Sequence, residues 1–326
     1  MRAFFSRGQA RSSYSHVRRL ASTARPQLSS VDANALLGDD EVKQFRRDGA
    51  ICVRQVFDAA WVAALREAAD VNMASPGPLC DEHAEAQGTT GRFHDDQFLW
   101  RRHAAFEQFV WRSGAGALAA RAMGSRSAHI FYDQLLVKEP GTVAATPWHN
   151  DTSYWQLRGS MICSVWVALD DVAAANGVSY VRGSHLDAIR HPITNFSGND
   201  DSERNNYAAR QDEFEARGDG ALTMLPDIDA KAAAGELELL QWDMQAGDAI
   251  VFDSAALHGA QGNPDGARRR RGYATRWCGD DVRFDARPGT MHTGWQAAGF
   301  DCGLIDGAKI SCALHPNVLG PAHEAL

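Results

Sequence analysis

Residues 161–169 read Met-Ile-Cys-Ser-Val-Trp-Val-Ala-Leu, and this run narrows the choice of fold more than any other stretch. It is short, nearly all apolar and β-prone, the pattern of a buried strand. Other β-type runs flank it. Residues 128–138 alternate in hydrophobicity, and Val178–Val181 ends at the turn Arg182-Gly183-Ser184-His185. Residues 237–242, 248–252 and 273–277 complete the set. Several short strands separated by Gly, Pro, Asn and Asp turns indicate a β-sandwich or barrel. Helical patterns come before them. Asp39-Asp40-Glu41 followed by Val42, Phe45 and Gly49 predicts a short helix that starts on acids and stops at glycine. Residues 51–53 form a short strand candidate. Residues 58–73 carry Val62, Leu65, Ala68 and Ala69 at helical spacing and end at Pro76-Gly77-Pro78. The expected fold is therefore mainly β with flanking helices: a cupin-like jelly-roll barrel, the double-stranded β-helix, with an N-terminal helical buttress.

Charge excludes some functions. The formal net charge is −8, and it conceals an asymmetry. Residues 1–30 hold six Arg and no acid, which leaves 27 basic against 41 acidic side chains in residues 31–326. A body that acidic is a poor match for nucleic acid or an anionic membrane surface. No run of 18 apolar residues exists, so no integral membrane segment is expected. The Arg- and Ser-rich leader, 1–30, reads as an organelle-targeting segment, most simply mitochondrial, with a peroxisomal or cytoplasmic location or an untargeted disordered tail as alternatives. Residues 31–326 are read as one domain. The six cysteines are scattered without a CxxC pair, which suits reduced thiols better than a disulfide framework. Residues 80–102, with His83, His94, Asp95, Asp96 and Arg101-Arg102, could line a site, but an ordinary solvated loop is the preferred reading. Residues 193–220 interrupt the strand rhythm with an acid-rich insert, either a lid or a floppy loop.

One constellation carries chemistry. In Trp148-His149-Asn150-Asp151, His149 and Asp151 lie two apart, so an extended backbone points both to one side. An imidazole and a carboxylate so placed make two thirds of the 2-His-1-carboxylate set that holds non-haem Fe(II). A bland surface turn is the competing reading until a third ligand is found. His258, after the apolar run 247–252 and beside Gly259, is the candidate, since a late antiparallel strand can return it to the pair. The basic turn Arg268-Arg269-Arg270-Arg271 then feeds a strand, and one buried Arg there can clamp a carboxylate. Tyr154 and Trp155, with Trp148, are divided between packing and pocket wall.

These pieces, in order, resemble the phytanoyl-CoA dioxygenase family of Fe(II)/2-oxoglutarate oxygenases over residues 38–320. Phe45-Arg46-Arg47-Asp48-Gly49 is similar to the family's opening helix, and 133–141 to the strand before the metal motif. Trp148-His149-Asn150-Asp151 is similar to its WHxD element. Residues 164–170, Asn176-Gly177, Gly183-Ser184-His185, Trp242, Gly247-Asp248, His258-Gly259, Asn263 and 276–281 continue the match. The resemblance implies Fe(II) on His149, Asp151 and His258. It implies 2-oxoglutarate held by Lys138, Trp166 and one arginine, with O2 as the other co-substrate. Loop counting gives Arg269; strand register gives Arg270, and we prefer Arg270 because packing fixes register and does not fix loop length. Ala260 stands where the family often has a serine. His185 is read as a turn residue, and His83, His94, His103, His129, His191, His292 and His315 receive no role.

The implied reaction is hydroxylation of a C–H bond in a small-molecule substrate, with release of succinate and CO2. The retained Asp151 favours hydroxylation, because a halide takes the carboxylate's place in related halogenases. The acidic insert would repel polyanionic CoA, which favours a neutral or cationic substrate over the alternative of a fatty acyl-CoA. A non-catalytic metal-binding jelly roll, or a cupin-like metalloenzyme independent of 2-oxoglutarate, are the other classes.

Overall fold

A computed structural model describes residues 36–83, 91–187, 224–263, 268–286 and 291–320. The leader, 1–30, and the insert, 193–220, lie outside the described residues. The N-terminal helix α1 (Asp39–Asp48) begins on three acids, with the Glu41 carboxylate accepting from Gly38 N at 2.7 Å. That position suits the positive end of a helix. It stops at Gly49, whose φ of +85° is the left-handed cap that glycine adopts without a Cβ penalty. Strand β1 (Ala50–Val53) follows, then α2 (Ala59–Ala74), which Asp58 caps by accepting from Trp61 N at 2.9 Å. Helices α3 (Ala104–Arg112) and α4 (Ala115–Met123), which the sequence reading did not anticipate, join this buttress.

All strand pairs are antiparallel. The larger sheet has the order β1–β10–β7–β12–β4–β3–β2, using β2 (Asp81–Glu82), β3 (Phe93–Gln97), β4 (His129–Lys138), β7 (Ile162–Ala168), β10 (Ala249–Asp253) and β12 (Arg270–Cys278). The smaller has the order β5–β11–β8–β9, from β5 (Thr146–His149), β8 (Val178–Val181), β9 (Leu239–Leu240) and β11 (His258–Ala260). A ribbon of β6 (Leu157–Arg158) and β13 (Arg283–Phe284) stands apart.

Central strand β7 explains why its sequence reads as a continuous apolar run: every residue is buried. Cys163, Val165 and Val167 pack towards the helices, with Phe109, Leu118 and Tyr273 in one core. Trp166 and Ala168 pack on the other face with Tyr180, Phe252 and Ala274, between the two sheets. A third core, containing Phe131, Tyr132, Trp155 and Trp295, joins the larger sheet to the C-terminal segment and its short helix α5 (His292–Ala297). The layering is that of a jelly roll on helices, with a cavity opening between sheets.

Three expectations need correction. The strand expected over 237–242 shrinks to Leu239–Leu240. The described part of 80–102 is not a solvated loop: β3 pairs with β4 over Phe93–Gln97, and His83, His94, Asp95 and Asp96 are buried. Their partners are remote in sequence, which is why hydrophobic periodicity missed them. Asp96 accepts from Asn72 Nδ2 (3.0 Å), Gly77 N (2.7 Å) and Arg102 Nη1 (3.0 Å), and such pairing is what makes buried polar groups tolerable. The thiols are also not all reduced. Cys302 and Cys312 form a disulfide, while Cys52, Cys80, Cys163 and Cys278 are free. The C-terminal segment brings the pair together at a separation that no short motif announces. Among the described residues, no helix is long and apolar enough to cross a membrane.

Candidate active site

The register of the smaller sheet brings the candidate metal ligands together. His149 ends β5 and His258 begins β11, and the two are paired across the strands, with ring centroids 4.2 Å apart. Asn150 between His149 and Asp151 is extended, at φ −116° and ψ 145°, so the i and i+2 side chains converge as the spacing predicted. Asp151 Oδ1 lies 3.6 Å from His149 Nε2 and 3.8 Å from His258 Nε2. All three residues are buried, and one ligand atom from each lies within 4.8 Å of the others.

Backbone carbonyls fix the tautomers. His149 Nδ1 lies 2.7 Å from Pro147 O, and His258 Nδ1 lies 3.0 Å from Ala256 O. A carbonyl only accepts, so each Nδ1 carries the proton and each Nε2 presents a lone pair towards Asp151. Burial, reinforced by His149, pushes His258 down to about 4, which keeps it neutral. Burial alone would raise Asp151, but His258, His149 and Arg276 together outweigh it and hold the carboxyl at about 2. Two imidazole Nε2 atoms and one carboxylate on a common face are a donor set for a divalent transition metal with positions left open. Ser164 Oγ donates to Asp151 Oδ2 at 3.4 Å.

This face lines a cavity of about 720 Å³, within the range of small-molecule sites. Opposite the ligands, Arg270 and Trp166 from the larger sheet line it too. The strand's alternation separates the two candidate arginines. Arg269 points outward to Asp70 (2.6 Å) and Glu139 (2.7 Å), and Arg271 outward to Asp170 (2.8 Å). Arg270 points inward at 5% exposure and donates Nη1 to Asn176 O, while its buried Nε has no acceptor among the described residues. Burial drags its pKa down to about 10. The indole of Trp166 lies against Gly272: a Cβ there would sit 2.2 Å from Trp166 Cζ2. The indole N–H also has no acceptor among the described residues.

Lys138 is the sequence-predicted residue that this cavity does not include. It pairs in register with Arg270, but its Nζ donates to Gln261 O (3.0 Å) and Ala260 O (3.4 Å) and lies over the Phe93 ring. Ala260, in the position where a serine was noted as absent, does line the cavity. The aromatic flank of the motif divides cleanly. Trp148 packs with Ile228 and Leu257 and donates to Asp229 Oδ1 at 3.1 Å, whereas Tyr154 and Trp155 line the cavity. His185 is a turn residue against Arg46 O, as read.

Several cavity residues were either set aside or missed by the sequence reading. His83 and Asp95 line the wall although the segment was read as loop, and so do Tyr132, Gln134 and Arg276. Gln134 and Arg276 sit in strands that were recognised; the alternation of β4 and β12 placed them on the cavity side with Tyr132 and Arg270, and that signal was legible.

A family model described as phytanoyl-CoA dioxygenase (PhyH) matches residues 45–272. No curated protein sequence matches the chain. Among solved structures, the fold is similar to the non-heme alpha ketoglutarate dependent carbocyclase SnoK from nogalamycin biosynthesis. The TM-score is 0.64 at 19% identity, covering 86% of this chain and 96% of that one. It is also similar to the epimerase SnoN in complex with Fe3+, alpha ketoglutarate and nogalamycin RO (TM-score 0.63, 20% identity, 88% of this chain and 100% of that one). EctD from S. alaskensis with 2-oxoglutarate and 5-hydroxyectoine gives a TM-score of 0.58 at 18% identity, over 84% of this chain and 89% of that one. Identities this low carry the fold alone. The family match, by contrast, runs from α1 into β12 through Lys138, His149, Asp151, Trp166, His258 and Arg270, and the chain belongs to the phytanoyl-CoA dioxygenase family.

Proposed function

We propose that the protein is an Fe(II)- and 2-oxoglutarate-dependent dioxygenase that hydroxylates a C–H bond of a small-molecule substrate. The observation that carries this reading is that His149, Asp151 and His258 face Arg270 and Trp166 across one cavity. Bound iron, 2-oxoglutarate and O2 supply the oxidising chemistry, one oxygen atom going to the substrate and the other to succinate as CO2 leaves.

The chain's own residues bind, orient and exclude water. His149, Asp151 and His258 would hold the metal by Nε2, carboxylate and Nε2. Arg270 would pair with the far carboxylate of 2-oxoglutarate, a demand its unpaired Nε–H and buried charge already express. Trp166, flat against Gly272, offers an apolar wall and an indole N–H. Lys138 acts from behind, fixing the carbonyls of 260–261 on the strand that carries His258. Tyr180 and Phe252 pack on the His258 ring and keep it dry. Hydroxylation is the outcome we infer from the retained Asp151, with carbocyclisation and epimerisation known among proteins of similar fold.

Anaerobic addition of Fe(II) and 2-oxoglutarate tests the reading. A metal-to-ligand charge-transfer band is expected in the wild type and is lost in His149→Ala. No band in the wild type would remove the enzyme reading. Succinate release across a substrate panel, with a product carrying one added oxygen atom, tests hydroxylation.

A further inference from the structure

One charge in the cavity is unused by the reading above. Arg276 lies six residues beyond Arg270 on β12 and faces the same cavity, beyond the segment that the family model matches. It is 5% exposed. Its guanidinium lies 4.6 Å from the centre of the Tyr132 ring. Nη1 donates to Ala274 O at 3.3 Å and Nη2 donates to Gln134 Oε1. A guanidinium has five N–H groups, and the buried Nε–H has no acceptor among the described residues.

The acids of the cavity are already answered. Asp95 accepts from Gln134 Nε2 at 2.6 Å and lies 3.3 Å from His83 Nε2. The same Gln134 amide thus turns its nitrogen to the acid and its oxygen to Arg276, holding the two apart. Asp81 stands at the exposed rim, 3.6 Å from His83 Nδ1. Asp151 is committed to the metal. Arg276 is then a desolvated cation with a donor to spare and, although its charge acts on Asp151 from a distance, no ion pair among the described residues. The surrounding wall is apolar and ring-rich: Leu79, Tyr154, Trp155, Met291 and Trp295.

We propose that Arg276 anchors the substrate by a carboxylate, with an apolar, ring-containing body lying along that wall. This rests on the metal-centre reading and extends it. About 20 Å of strand separates the Cα atoms of residues six apart, so the two arginines bracket the centre. Arg270 takes the far carboxylate of 2-oxoglutarate and Arg276 that of the substrate, with the reacting C–H held between. The charge of the cavity therefore opposes the neutral or cationic substrate expected from the acidic insert, which lies outside the described residues.

The test is calorimetric titration of the Mn(II)- and 2-oxoglutarate-loaded protein with three probes on one body: 2-naphthoate, 2-naphthamide and 2-naphthylmethylammonium. A charge-assisted pair predicts that 2-naphthoate binds about tenfold to a hundredfold tighter than the other two. Arg276→Gln should erase that preference and Arg276→Lys should keep a weaker form of it, with 2-oxoglutarate affinity unchanged in both. Equal affinities, binding of none, preference for the ammonium, or a preference that survives Arg276→Gln each overturn the proposal. So does a loss of 2-oxoglutarate affinity in Arg276→Gln, which would assign the residue to the co-substrate. The wild-type ranking decides the matter even if the Gln variant does not fold. Absence of the Fe(II)–2-oxoglutarate band in the wild type would instead signal failure of the underlying reading.

Discussion

Replacing Arg270 with methionine should make the ligand-free protein more stable while disabling it. The guanidinium is 5% exposed, its hydrogen-bond partner among the described residues is the neutral Asn176 carbonyl, and burial has moved its pKa down to about 10. That displacement corresponds to a cost of about 3 kcal/mol for holding the charged form. Methionine fills similar space without the charge, and such replacements are neutral or stabilising by roughly 1–4 kcal/mol. Scanning calorimetry without ligand should therefore show an unchanged or raised Tm. With 2-oxoglutarate the order reverses, because the co-substrate's far carboxylate loses its partner. Truncating one side of a buried charge pair costs about 2–5 kcal/mol, so Kd should rise roughly thirtyfold or more. The control is Arg269→Met, whose partly exposed pairs with Asp70 and Glu139 are worth about 0.2–1 kcal/mol. It should bind 2-oxoglutarate as the wild type does. Normal 2-oxoglutarate affinity in Arg270→Met, or its loss in Arg269→Met, would refute the assignment.

Further outcomes follow from other contacts. Gly272→Ala puts a Cβ 2.2 Å from Trp166 Cζ2, so the indole must move; we expect about 1–3 kcal/mol of destabilisation and weaker 2-oxoglutarate binding, read by denaturant titration and calorimetry. Asp151→Ala should abolish the Tm rise that Fe(II) gives the wild type under anaerobic conditions, because metal binding to the folded state stabilises it by mass action. Asp133 is a buried acid that burial raises to about 7 against the pull of Tyr273 and Trp100 N. The folded state keeps this proton at a pH where the unfolded chain has lost it, so this residue's contribution to stability falls as pH rises from about 4 to 7. Asp133→Asn should flatten that slope in pH-dependent denaturation; an unchanged slope would show that the carboxyl is ionised throughout.

The sequence by itself determined the central strands and singled out His149, Asp151 and His258 as candidate ligands. Residues 161–169 read as a buried strand because both faces of β7 are covered, and covering both faces removes the alternation that a half-exposed strand shows. His149 and Asp151 converge through backbone geometry alone, since two residues of extended chain suffice. That Arg270 and not Arg269 faces inward was also within reach, because strand period decides which of two neighbours does so. Tertiary structure decided the rest. The pairing of His149 with His258 is a matter of register between strands far apart in the chain. The burial of 93–97 depends on Asn72, Arg102 and Gln134 meeting acids that look solvated in a linear reading. That Arg276 makes no ion pair with Asp95 depends on Gln134 and His83 having already claimed that acid. Periodicity reports which residues leave water; only the folded arrangement reports which charges find partners when they do.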